Sequence, residues 1–136
     1  MSPAGPRLPL ARLVAAARRA RARAHAPYSR FQVGAAVLAG GAIHAGCNVE
    51  NASYGLTVCA ERNAVAAAVL AGAKRLDAVV VASGTSPPTP PCGMCLQTLA
   101  EFGGASLPVI LVGAHGARDE TTLGALLPRA FSRKFP

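Results

Sequence analysis

The fold is decided by residues 78–112, which read AVVVASGTSPPTPPCGMCLQTLAEFGGASLPVILV. The apolar runs at the two ends of this stretch are typical of strands buried inside a sheet. Between them, the proline-rich segment from Ser83 to Pro91 predicts a rigid loop without regular structure. A helix is predicted from near Cys92 until the pair Gly103-Gly104. Two buried strands joined by a loop and a helix indicate an α/β fold.

The chain before this stretch predicts a helix, a hairpin and a second helix. Apolar residues recur at three-, four- and seven-residue steps over 8–24, which indicates an amphipathic helix with arginines on its outer face. Residues 31–38 and 42–48 predict two strands, joined by a turn at Gly40-Gly41. After a polar loop, strong helix formers predict a helix over about residues 59–71.

The segment after residue 112 predicts a short strand at 118–121 and a helix at 123–127. The complete order of elements predicts an α/β, three-layer α/β/α sandwich with a mixed sheet of about five strands and helices on both faces. Half of the chain is hydrophobic (51%), and no linker divides it. We therefore expect residues 1–136 to form a single domain around one core.

The composition restricts the partners and the compartment. Lysine and arginine (14) exceed aspartate and glutamate (6), for a formal net charge of +8. Such a balance is compatible with nucleic-acid binding, but we favour solvated surface charge in an arginine-rich composition and expect no nucleic-acid partner. No apolar run approaches the roughly 20 residues that span a bilayer, and no secretion signal is present. We therefore expect a cytoplasmic protein without a membrane partner.

Three of the four cysteines suggest a metal site. Cys92 and Cys95 are spaced so that both thiols can face one metal from the first turn of a helix. Cys59 lies at another predicted helix start, where the helix dipole and unpaired backbone N–H groups stabilise a thiolate. Three ligands leave one tetrahedral position open for water, as in catalytic zinc sites. The fourth cysteine, Cys47, is expected to pack as a small buried hydrophobe.

Two charged residues follow Cys59 directly along the chain. Glu61 is placed to reach the metal-bound water without itself binding the metal, which predicts a general acid/base. Three thiolates leave a zinc site formally at −1, which weakens the acidifying effect of the metal on water. Arg62 is the candidate cation that offsets this charge.

The residues CAER at 59–62, followed by PCGMC at 91–95, resemble the signature of the zinc nucleoside and nucleobase deaminases. Over nearly its whole length, the chain is similar to the small homotetrameric cytidine deaminases. The matching stretches are 27–29, 31–36, 46–54, 57–63, 91–97 and 126–131.

This resemblance implies hydrolysis of free cytidine and 2′-deoxycytidine to uridine and 2′-deoxyuridine plus ammonia, a reaction of pyrimidine salvage. It implies one zinc ion per subunit on the three cysteines, with zinc-bound hydroxide attacking the amine-bearing ring carbon and Glu61 shuttling the protons. It also implies a homotetramer, in which Tyr54 closes a pocket shared between subunits and Phe131 lies near a neighbouring subunit's site.

The resemblance further assigns substrate contacts. Asn48 and Glu50 are expected to hydrogen-bond a ribose hydroxyl, which selects a free nucleoside. Phe31 is expected to pack against the pyrimidine, and the backbone around Ala60 to meet the edge of the base.

Departures from the family pattern leave some properties open. Met94 and Leu96 stand where relatives commonly carry a small residue and arginine, and Pro90 stands where serine is usual. These changes leave the zinc electrostatics and the preferred base undetermined.

Three alternative functions also remain. A tRNA or other nucleic-acid deaminase typically has histidine in place of Cys59 and lacks the NVEN element at 48–51. A blasticidin S-type or other modified-nucleoside deaminase shares these motifs. The third is a non-enzymatic zinc-stabilised module, in which a histidine completes a structural site.

Overall fold

The chain was analysed as a computed structural model that describes residues 8–133. The helices are α1 (Leu10–Arg21), α2 (Ala60–Leu70), α3 (Gly93–Phe102) and the short α4 (Leu123–Leu126). The strands are β1 (Gly34–Ala39), β2 (Ala42–Cys47), β3 (Ala78–Ala82), β4 (Pro108–Val112) and β5 (Arg118–Thr122). Within these residues, no helix combines the length and apolarity that crossing a membrane requires.

The five strands form one sheet in the order β2-β1-β3-β4-β5. β3 and β4 are parallel, because α3 connects them across the sheet, and all other neighbouring strands are antiparallel. The mixed five-stranded sheet predicted from the sequence is therefore confirmed. The bounds of β3 and β4 agree with those read from the two apolar runs.

The turn between β1 and β2 is made by Gly40 and Gly41, whose φ angles are 58° and 84°. Two consecutive positive φ values are the requirement of a tight type I′ hairpin, which glycine meets without a steric cost. The predicted hairpin is confirmed.

Helices cover both faces of the sheet, which gives three layers. Side chains alternate between the faces of a strand, so Leu38 and Val80 pack in one cluster with Leu13 of α1. Their neighbours Val37 and Val79 pack in the other cluster with the apolar residues of α2 and α3. The predicted α/β/α arrangement is thus built from two apolar layers, one on each face of the sheet.

The strand predicted over 31–38 begins only at Gly34, because the side chain of Asn48 replaces a strand partner. The Val33 N–H donates to Asn48 Oδ1 (2.8 Å), and Asn48 Nδ2 donates to the Phe31 carbonyl (2.8 Å). Val33 therefore keeps only one backbone hydrogen bond to the facing strand, from the Asn48 N–H to its carbonyl (3.2 Å).

The first helix is shorter than the predicted 8–24, and not all of its arginines point outward. It ends at Arg21, after which Arg23 and Ala24 make i→i−3 bonds that tighten the chain into a turn. The prediction of an arginine-covered outer face is wrong for Arg21. Its Nε donates to the Gln32 carbonyl (2.9 Å), and its guanidinium lies against Gly84.

The placement of α2 depends on Gly46 in β2. A Cβ atom at Gly46 would collide with the backbone nitrogen of Ala64 and lie 2.8 Å from the Ala60 carbonyl oxygen. The sheet and the first turns of α2 are therefore in backbone contact, and this contact positions the residues at the start of α2.

Replacing Gly46 with alanine is expected to lower the free energy of unfolding by about 1–3 kcal/mol, because overpacking forces the helix away from the strand. Thermal and urea unfolding of Gly46→Ala measure this loss. Gly104→Ala is the matched control, because a Cβ atom there meets nothing within 4 Å. Equal stability of the two variants would contradict the proposed contact.

Candidate active site

The starts of α2 and α3 bring three cysteines together. Cys59 is the N-cap of α2, Cys92 is the N-cap of α3, and Cys95 lies in the first turn of α3. Their three sulfur atoms lie within 4.8 Å of one another, and Cys92 Sγ is 3.5 Å from Cys95 Sγ. The helix starts predicted at these residues are confirmed.

This cluster fits a zinc ion. Zinc–sulfur bonds of about 2.3 Å in a tetrahedron place neighbouring sulfurs about 3.8 Å apart, close to the Cys92–Cys95 separation of 3.5 Å. In residues 8–133, no histidine or carboxylate completes the cluster as a fourth ligand. A three-thiolate set with one open position has the chemistry of a catalytic site, and it gives no support to the structural site completed by histidine.

Protons are unevenly distributed over the thiols. The pKa of Cys59 is lowered to about 5, because the Cys95 thiol donates a hydrogen bond to its sulfur and the Arg62 guanidinium lies close by. The pKa of Cys95 is raised, because its thiol hydrogen is bonded to the Cys59 sulfur and because the side chain is buried. The site therefore already favours the thiolate form at one of the prospective ligands, which is the form that binds metal.

A cavity of about 200 Å³ opens beside the thiols, and we call it the inner cavity. Six of the residues predicted from the sequence line it: Phe31, Asn48, Cys59, Ala60, Glu61 and Cys92. The Glu61 side chain is buried, with 4% of the residue exposed. Burial raises the pKa of the Glu61 carboxyl, and the neighbouring Cys59 thiolate raises it further. The carboxyl is therefore suited to holding a proton inside the cavity.

The Arg62 guanidinium lies close to Cys59 and, in addition to the hydrogen bond from Cys95, lowers the pKa of its thiol. Its Nη2 donates to the Thr57 carbonyl (3.0 Å), which ties the guanidinium to the segment before Cys59. Its Nε is buried without a hydrogen-bond partner in the described chain. A buried, unpaired N–H next to thiolates is available to the sulfur atoms, in agreement with the predicted electrostatic role.

A second cavity of about 270 Å³, the outer cavity, meets the inner one at Thr57. Glu50 and Tyr54 line it. Glu50 accepts hydrogen bonds from the Ser29 hydroxyl and from the backbone N–H groups of Tyr28 (2.9 Å) and Ser29 (3.1 Å). The pKa of the Glu50 carboxyl is lowered, chiefly by the bond from the Ser29 hydroxyl and further by the two backbone bonds. An ionised acceptor therefore lies at the mouth of the site.

The two aromatic residues assigned to neighbouring subunits lie on the surface of the chain. Tyr54 is 73% exposed and contacts Tyr28 edge to face, with ring centroids 5.7 Å apart. Phe131 is 69% exposed and outside both cavities, although Gln97 Nε2 donates to its carbonyl (2.8 Å) and holds the segment against α3. A single chain therefore brings Tyr54, but not Phe131, to the site.

Sequence reasoning missed part of the inner cavity wall. Val33, Val81, Ser83 and Thr89 line it as well, and Thr57 lines both cavities. The four hydroxyl residues inside the proline-rich segment, of which Ser83 and Thr89 line the cavity, were a signal that could have been used, since a rigid loop next to a Cys-x-x-Cys pair is a natural cavity wall.

Comparison with known proteins agrees with this geometry. Residues 9–111 match the family described as the cytidine and deoxycytidylate deaminase zinc-binding region. The chain belongs to this family. A cytidine deaminase of Sporosarcina psychrophila is 47% identical over 90% of this chain and 91% of its own length. A cytidine deaminase of Mycobacterium tuberculosis is 47% identical over 85% of this chain and 84% of its own.

Solved structures show the same relationship. The 1.6 Å crystal structure of cytidine deaminase from Burkholderia pseudomallei superimposes with a TM-score of 0.87 at 45% identity, covering 91% of this chain and all of the other. The crystal structure of cytidine deaminase from Mycobacterium tuberculosis superimposes with a TM-score of 0.81 at 42% identity, covering 93% and 100%. The sequence-based prediction of the family and of the fold is confirmed.

The structure gives each departure from the deaminase pattern a location. Leu96 is buried in the cluster between the sheet and α2, so it supplies apolar packing and no charge near the thiols. Met94 is 61% exposed, and Pro90 lines the inner cavity. Of the three departures, only Pro90 therefore lines the inner cavity.

Zinc analysis of the purified chain is expected to give one metal ion per chain, and Cys59→Ser or Cys95→Ser to lose it. Cys47→Ser is the matched control, because Cys47 is a free cysteine outside the cluster. Metal content is measured by elemental analysis after dialysis. Full zinc occupancy in Cys95→Ser, or loss of zinc in Cys47→Ser, would contradict this ligand set.

Proposed function

We propose that this protein hydrolyses the amino group of free cytidine and 2′-deoxycytidine, releasing ammonia and forming uridine and 2′-deoxyuridine. The observation that carries the proposal is the buried Glu61 carboxyl, which lines the inner cavity beside three clustered thiols. The family and the relatives named above support the same activity.

The chemistry divides between the metal and the protein. Zinc held by Cys59, Cys92 and Cys95 would act as a Lewis acid that lowers the pKa of water. Glu61 takes a proton from the attacking water and gives it to the ring nitrogen of the base. Glu61 then takes the second hydrogen of the former water from the adduct and gives it to the departing amine, which leaves as ammonia, while the water oxygen becomes the carbonyl oxygen of the product. Arg62 limits the negative charge that the thiolates bring to this end of the cavity.

The walls of the two cavities orient the nucleoside. Phe31 packs against the pyrimidine, and the backbone at Ala60 meets the edge of the base. Asn48 and Glu50 bind the ribose hydroxyl, with Glu50 in the outer cavity, and Tyr54 covers that opening. Because the Asn48 amide is bonded to both Phe31 and Val33, its contribution includes holding the Phe31 wall in place.

The proposal also covers the oligomeric state, the domain organisation and the cellular compartment of the protein. We infer a homotetramer in which Tyr54 and Phe131 reach a neighbouring subunit, since both rings are exposed. We also infer that residues 1–136 form one domain. All four cysteines are free, which suits the reducing cytoplasm and a role in pyrimidine salvage.

Deamination of a modified cytosine nucleoside, such as blasticidin S, is the second candidate function. Pro90 in the cavity wall favours it, because a residue in contact with the base differs from the usual serine. Nucleic-acid deamination has less support, because Cys59 takes the place of the histidine that those relatives typically carry.

Glu61→Gln is expected to retain zinc and to lose deaminase activity by a factor of about 10²–10⁴, because no group remains to move the protons. The loss of ultraviolet absorbance is followed with cytidine, deoxycytidine, blasticidin S and adenosine. Glu101→Gln, which changes an exposed glutamate of α3, is the matched control. Absence of turnover of all four compounds by the zinc-loaded native chain would refute the proposed function.

Sedimentation of the native chain is expected to show an assembly of four chains of 13.7 kDa. Phe131→Ala should raise KM, because a neighbouring subunit's site loses an aromatic contact, while the zinc content of each chain stays constant. A fully active monomer would contradict the composite site.

A further inference from the structure

Three hydroxyl groups form a hydrogen-bonded chain in the wall of the inner cavity. Ser83 Oγ lies 3.1 Å from Thr85 Oγ1, which lies 2.8 Å from Thr89 Oγ1. The Thr89 backbone N–H also donates to Ser83 Oγ over 3.4 Å. Ser83 and Thr89, at the two ends of this hydroxyl chain, line the inner cavity, whereas Thr85 in the middle does not.

The number of hydrogens on the three hydroxyl groups decides what the hydroxyl chain presents to the cavity. Each hydroxyl has one hydrogen to donate and can accept two, so three hydrogens serve two hydroxyl–hydroxyl contacts. Within residues 8–133, no other acceptor bonds to these three groups. One hydrogen is therefore left without an acceptor in the protein.

The position of the remaining hydrogen follows from the middle group. Three arrangements satisfy both contacts. If Thr85 donates to Thr89, Ser83 donates to Thr85 and the free hydrogen belongs to Thr89. If Thr85 donates to Ser83, Thr89 donates to Thr85 and the free hydrogen belongs to Ser83. In these two arrangements the donor lies on a residue that lines the cavity. In the third, both ends donate to Thr85, whose own hydrogen is free. An acceptor atom in the cavity stabilises the first two arrangements, because only they offer it a hydrogen.

The surroundings make this donor more than a surface hydroxyl. Ser83 is 6% exposed, so a hydrogen left unpaired there is desolvated and requires a partner. The side chain follows β3 directly, and Val81 on the same strand lines the cavity too. A donor on Ser83 is thus held at the end of a buried strand, in the cavity that Glu61 also lines.

We propose that the hydroxyl chain Ser83–Thr85–Thr89 presents one hydrogen-bond donor to the inner cavity, and that this donor contacts an acceptor atom of the pyrimidine base. This inference rests on the proposed function, since the base of cytidine carries an acceptor at its carbonyl oxygen, which uridine shares. The hydroxyl chain selects bases with an acceptor at that position, and it can reverse its direction to place the donor at either end.

The decisive variants separate donation to the base from support of the loop. Ser83→Ala combined with Thr89→Val removes both possible donors. Thr85→Val breaks both contacts of the hydroxyl chain but leaves hydrogens on Ser83 and Thr89. Thr121→Val on β5, which is outside both cavities, is the control. All are assayed as zinc-loaded proteins for kcat and KM with cytidine, for the inhibition constant of uridine and for zinc content.

The double variant is expected to raise KM for cytidine and the inhibition constant of uridine about tenfold, the effect of one lost hydrogen bond. Its zinc content should not change, and Thr85→Val should remain within about twofold of the native KM. Ser83→Ala and Thr89→Val are also assayed separately. The one that reproduces the rise in KM of the double variant identifies the donor. A native KM in the double variant, or an equally large rise in Thr85→Val, would overturn the proposal.

If the native chain did not turn over cytidine, that result would refute the proposed function and not the donor. Calorimetric binding of uridine to the native chain and to the double variant would then decide the inference. Weaker binding by the double variant supports it, and equal binding overturns it.

Discussion

The structure depends on keeping a carboxyl group and three thiols close together in a place that excludes most water. Glu61 and Cys95 are buried, and the charge of the nearby Cys59 thiolate further raises the pKa of both. Such groups repel one another once ionised, and burial adds a desolvation cost. Two features offset this repulsion: the positive ends of two helices at Cys59 and Cys92, and the Arg62 guanidinium at Cys59.

The sheet positions the starts of α2 and α3, which carry these groups. β1 and β3 fill the centre of the molecule with side chains that are almost completely buried. α2 packs on β2 through the backbone contact at Gly46. α3 follows β3 after the proline-rich loop from Ser83 to Pro91. The two helix starts can therefore shift little relative to one another, which is what a three-ligand metal site requires.

The cavity walls are held by side chains that act as substitutes for backbone partners. Asn48 binds the backbone of Phe31 and Val33, and Arg21 binds the backbone of Gln32 while its guanidinium lies against Gly84. Arg21 thus lies behind both walls of the inner cavity, since 31–33 form one wall and 83–89 the other. Fixed walls lower the cost of ordering a substrate, and they favour one orientation of the base.

Much of the molecule followed from the sequence alone. The apolar runs at 78–82 and 108–112, the turn at Gly40-Gly41 and the helix starts at the cysteines were all recoverable, because each depends on local periodicity, turn chemistry or ligand spacing. The family followed from motifs of the same local kind. Only the tertiary structure decided the start of β1 at Gly34, the inward contact of Arg21 and the chain of hydroxyls from Ser83 to Thr89. These features join residues distant in sequence or depend on the direction of single hydrogen bonds, and no local pattern encodes which donor will meet which acceptor once the chain is packed.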